Sequence, residues 1–71
     1  MPDDLVPALF ALATVVAEHI HDTAIAGQDA SLEPGKAAEL AQQVRRLAAE
    51  VDALARAISI AVARDENSAG G

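Results

Sequence analysis

Cysteine is absent from this chain, so neither a disulfide nor a thiolate metal site can support its fold, and the redox compartment is left open. Tryptophan and tyrosine are absent too, and Phe10 is the only aromatic residue, which leaves little material for an aromatic ligand pocket or a base-stacking surface. Basic residues are few: five against eleven acids, for a net charge of −6. That balance excludes the basic footprint expected of a nucleic-acid binder and disfavours docking on anionic lipid. No glycine-rich phosphate loop and no nucleophile–base motif occurs, and Ser31, Ser59 and Ser68 have no histidine near them in sequence. The expectation is therefore a protein that is not an enzyme and carries no cofactor.

What is present is alanine, the commonest residue, together with leucine, valine and isoleucine at helical spacing. Alanine favours helices and suits a sheet poorly. The 71 residues make one small domain at most. A chain of this size buries only about 60% of its unfolded surface. Without disulfides or metal, oligomerisation is the remaining source of stability.

The stretch from Ala37 to Ala61 organises the rest. In sevens, Ala37, Val44, Val51 and Ile58 share one core position, and Leu40, Leu47, Leu54 and Ala61 share the other. Unbroken 3-4 spacing is the signature of a helix packed along another helix. Ala41, Ala48, Ala55 and Val62 flank the stripe and suggest a close, antiparallel contact.

Ahead of it, a first helix is expected over about residues 3–26. Asp3 or Asp4 can cap it, Pro7 falls near its first turn, and Gly27 stops it. Its apolar residues come in pairs, Leu5/Val6, Leu9/Phe10, Leu12/Ala13 and Val16/Ala17, with His19/Ile20 last. Paired seams form a wide apolar arc, and one hairpin partner covers only one of them. A turn over 27–33 follows, in which Asp29 or Ser31 can cap the next helix and Pro34 fits its first turn. The second helix then runs over about 34–64. Residues 1–64 form the hairpin domain, and the polar, glycine-ended 65–71 reads as a disordered tail. The fold class is all-α: an antiparallel two-helix hairpin, pairing as a homodimer into a four-helix bundle. The interface is assigned to Leu5, Leu9, Leu12, Val16 and Ile20 against Leu40, Val44, Leu47, Val51, Leu54 and Ile58.

Glu18-His19-Ile20-His21-Asp22 is the one cluster with metal-ligand residue types. Glu18 and His21 have the E-x-x-H spacing used by di-iron bundles, which keeps a metal-binding or di-metal redox bundle as the alternative function. At about 100° per residue, however, Glu18 points away from the apolar arc and His21 lies on its flank. No metal site is assigned. His19 falls at the boundary of the seam, where its titration near neutrality would loosen a dimer on acidification if it lay across the contact.

Arg45, Arg46 and Arg56 alternate with Glu50 and Asp52 and read as a solvated face. A hairpin-dimer regulator of nucleic acid is the third reading, set against the acidic charge. Ile60 stands alone on the polar side of the second helix, either as a single exposed hydrophobe or as a mark of a docking face. The apolar run Leu5–Ala17 spans 13 residues, short of the roughly 20 needed to cross a bilayer. The acidic start Met1-Pro2-Asp3-Asp4 differs from a signal peptide, so the cytoplasm is the expected location. The function expected is a noncatalytic helical oligomerisation and protein-interaction module. Its partners are itself, as a homodimer or higher oligomer, and another protein, with no nucleic acid and no membrane.

Overall fold

Two helices packed against each other make up the structure, a computed structural model that describes residues 4–70, with side chains through Glu66. Helix α1 spans Leu5–Ala26 and α2 spans Pro34–Gly70. The chain is a helical hairpin, 58 × 14 × 12 Å. The capping role of Asp3 and the state of Gly71 lie outside the described residues.

Asp4 precedes α1 and makes no capping bond through its side chain. Pro7 is the third helical residue, where an amide N–H has no partner within the helix, so its ring costs nothing in hydrogen bonds. Gly27 ends α1, as its position suggested, but with ordinary right-handed φ of −72° rather than the left-handed conformation common at helix ends. Its N–H donates to the Thr23 carbonyl at 3.0 Å.

Asp29 and Ser31 do not cap α2. They close a local turn instead: the Ser31 N–H and hydroxyl both donate to Asp29 Oδ1, at 2.9 and 2.7 Å. Those two bonds, the backbone one first, hold the Asp29 carboxyl below its ordinary value. A depressed carboxylate stabilises the folded turn above the unfolded pKa, and that contribution fades as pH falls through the folded value. Pro34 opens α2, where its fixed φ suits a first helical residue. The Ala37 N–H donates to the Glu33 carbonyl at 2.9 Å as the helix begins.

The contact between the helices is a single zipper. From α2 it takes Leu40, Val44, Leu47, Val51, Leu54, Ile58 and Ala61, the stripe read from the sequence. Ala37, the expected first member, is exposed because it precedes the level at which α1 lies alongside. From α1 it takes Val6, Leu9, Ala13, Val16, Ile20 and Thr23, which step 3-4-3-4-3. Leu9, Val16 and Ile20 are half-buried on this stripe together with Val6 and Ala13, whereas Leu5 and Leu12 are exposed on the neighbouring one, Leu12 at its edge toward α2.

The core is thin. Leu47 and Ala61 are the buried hydrophobic residues among those described, and no large side chain is fully enclosed. Thr23 is buried as well, and its hydroxyl donates to the His19 carbonyl one turn back at 2.8 Å, so the polar group is satisfied inside the helix.

Two further boundaries differ from the reading of the sequence. Ala41, Ala48, Ala55 and Val62 are exposed and so line an outer flank of α2 instead of the contact with α1. Helix α2 also continues past Arg64, through most of the expected tail, to Gly70. At 1.5 Å per residue α2 is about 55 Å long and α1 about 33 Å, so the end of α2 projects beyond the start of α1.

Candidate functional site

The chemistry-bearing cluster on α1 is solvated. Glu18, His19, His21 and Asp22 are all exposed. His21 Nδ1 lies 3.7 Å from Asp22 Oδ1, with both side chains largely in water. Among the described residues no group of three or more histidine or carboxylate side chains converges as a metal site would require. Glu18 and His21 share a face of α1, but that face looks away from α2, so the hairpin supplies no further ligand to them.

The basic residues are equally open. Arg56 pairs with Asp52 at 2.8 Å, the favourable order for an i,i+4 pair, and Lys36 pairs with Glu39 at 3.5 Å. Such exposed pairs contribute only about 0.3–0.5 kcal/mol each. They tile the outer side of α2 without gathering positive charge.

The feature that stands out is apolar. Leu5, Leu12 and Val15 are 54%, 52% and 47% exposed, although each lies on a helix with apolar spacing. Leu5, Ala8, Leu12, Val15 and His19 step 3-4-3-4 along α1, parallel to the zipper that α2 fills. This second seam carries no charged residue until Asp22, the next step of the same series. Beside it, Leu12 and Val16 meet Glu50, Ala53 and Leu54 of α2 around an open, mostly apolar groove of about 340 Å³. The groove fixes the geometry of the hairpin: Leu12 is level with Leu54, and the seam shares a broad face with Glu50 and Ala53. The alanine row of α2 lies on the other flank, as does Phe10 on α1.

Helix α1 as a whole has the length and apolar composition of a membrane-crossing helix, with a mean hydropathy of 1.3 over its most apolar window. The 13-residue apolar run read from the sequence understates it, because Ile20 and the Thr23–Ala26 turn extend the apolar character past Glu18 and Asp22.

Ile60 is the most exposed large hydrophobe among the described residues, at 60%, and stands apart from the α1 seam. Ile60→Glu is expected to change stability by no more than about 0.5 kcal/mol, as for other open surface positions. Urea denaturation of the variant beside the parent chain measures it, and a larger loss would make that flank structural.

Val6, Ala13 and Thr23 are the seam residues that sequence reasoning missed. Thr23 was findable, since it is the next 3-4 step after Ile20. Comparison of the chain with models of protein families, with curated proteins and with solved structures finds no match.

Proposed function

We propose that this chain is a noncatalytic helical interaction module whose working form is an assembly: a homodimer of hairpins forming a four-helix bundle that another protein then engages. The observation that carries this reading is the uncharged apolar seam of Leu5, Ala8, Leu12 and Val15, which the hairpin leaves in solvent. A 7.3 kDa chain has an unfolded surface of about 10,600 Å², and by that scale this fold buries only about half of it. Small domains that fold alone bury nearer 60%. The missing burial is what a second hairpin would supply.

The same apolar helix has the length for a bilayer, but protein contact fits its pattern better. One stripe of α1 is already engaged with α2, whose outer side carries Arg45, Asp52 and Arg56. Insertion would strip α2 from that stripe, and Asp22 alone costs about 2.5–3.5 kcal/mol at a bilayer centre, less nearer the interface. The module accordingly works in water, and the cytoplasm is the compartment assigned to it.

Native mass spectrometry, with sedimentation equilibrium at micromolar concentration, tests the reading. The expected species has twice the 7.3 kDa chain mass and no bound metal. A monomer at every concentration overturns self-assembly. Flotation of the chain with neutral phosphatidylcholine vesicles would replace the protein contact by a membrane. Stoichiometric metal in the assembly would bring Glu18 and His21 back as ligands.

A further inference from the structure

The open seam on α1 has a pattern that specifies what covers it and in which direction. We infer that it is the dimer contact itself: α1 of one chain packs antiparallel on α1 of a second copy, with Leu5 against Val15 and Ala8 against Leu12. This rests on the assembly reading above and adds to it the surface, the direction and the register.

The area argues for a partner of about this size. A compact monomer of 7.3 kDa exposes about 4,200 Å², and this chain exposes 5285 Å². The surplus of about 1,100 Å² belongs to the whole elongated chain, the open flank of α1 included, and is of the order of the roughly 800 Å² that each partner contributes to a standard interface.

Direction and register follow from charge. The seam reads Leu5, Ala8, Leu12, Val15, His19, and then Asp22. In a parallel pairing each residue meets its own copy, so Asp22 would face Asp22 across the contact, and like charges in that position cost energy. In an antiparallel pairing, residues of one core position meet residues of the other, which leaves two central registers. One sets Leu12 against Val15, but it also sets Leu5 against Asp22 and Ala8 against His19. The other sets Leu5 against Val15 and Ala8 against Leu12, and it leaves His19 and Asp22 beyond the contact. Only the second buries apolar residues alone. It also puts the small Ala8 opposite the large Leu12, which allows the helices to close without a void. The same two-fold sets the flank of α2 that carries Arg46 and Glu50 opposite its own copy, so those polar groups border the apolar α1 contact.

The absence of native cysteine gives a direct test. Ten residues separate Leu5 from Val15, about 15 Å along the helix, whereas a disulfide needs Cα atoms within about 7 Å. A Leu5→Cys/Val15→Cys chain therefore cannot bridge to itself within one helix. Under mild oxidation it is expected to run as a covalent dimer without reductant, while Leu5→Cys and Val15→Cys singly remain uncrosslinked. A Leu5→Cys chain that crosslinks to its own copy would mean a parallel contact and overturn the register.

Charge variants give a second readout that needs no crosslink. Leu12→Glu should weaken dimerisation at least about tenfold, since a carboxylate in an apolar contact is desolvated without a partner. Phe10→Glu, on the opposite flank of α1, should leave it within about threefold. Circular dichroism confirms that both variants stay helical. A parent chain that is dimeric yet indifferent to Leu12→Glu overturns this contact and leaves the assembly reading standing. A parent chain that is monomeric removes both.

Discussion

Leu47→Ala is expected to lower the unfolding free energy by about 2–5 kcal/mol, the range for deleting a buried leucine side chain. The reason is the thinness of the zipper. Among the described residues Leu47 is one of two buried hydrophobic ones, at 9% exposure, and the other is the small Ala61. Against a typical domain stability of about 5–15 kcal/mol, and a lower value expected for so small a core, the loss could unfold the chain at ambient temperature. Urea denaturation followed at 222 nm, at fixed protein concentration, measures it. An unchanged midpoint would mean that the helices do not pack through this stripe.

A proline in α2 is expected to have an effect of similar size at one place and almost none at another. Ala49 is exposed, so Ala49→Pro removes no packing; it deletes a backbone hydrogen bond and clashes with the preceding turn, for about 3 kcal/mol. The loss is felt by the whole hairpin, because the zipper runs above and below this residue. Asp65→Pro breaks the same helix past the level of Leu5, where α1 no longer lies alongside. It should lower helicity at 222 nm by a few residues and leave the urea midpoint in place. Equal losses at both sites would show that the far end of α2 is as strongly held as the zipper.

The two helices differ in how far their roles could be read from the sequence, and the cause is physical. On α2 the large residues occur at single positions, so Leu40 through Ile58 define one stripe and the helix has one way to face inward. On α1 they occur in adjacent pairs, and two stripes compete. The stripe through Val6 wins in the hairpin because it alone runs the length of the helix: it reaches Ile20 and Thr23, whereas its rival meets Asp22 at the same depth. Assigning Leu5 and Leu12 to the same contact as Leu9 mixed the two stripes. Thr23 was overlooked because a hydroxyl looks polar, yet the hydroxyl donates its hydrogen bond to the His19 carbonyl and leaves a methyl for the core. The end of α2 was placed early because Asn, Ser and Gly are weak helix formers. Propensity is a modest force, and neither proline nor a competing contact halts the helix before Gly70. The partner of the open seam is a property of two chains. One sequence displays the pattern of that surface without displaying what meets it.

The unequal lengths of the helices take on a different meaning when two hairpins are laid head to tail. The proposed two-fold passes near Phe10, level with Arg56 on α2. From that level Gly70 lies about 21 Å in one direction, and Ala26, where the connection begins, lies about 24 Å in the other. Reversing the second copy brings the overhang of each α2 alongside the connection of its neighbour. What is a ragged end in one chain is then flanked by the closed, connected end of the other. The result is a rod with flush ends, each tip built from both chains, so that a ligand grasping either tip would touch two subunits at once and sense whether the pair is whole.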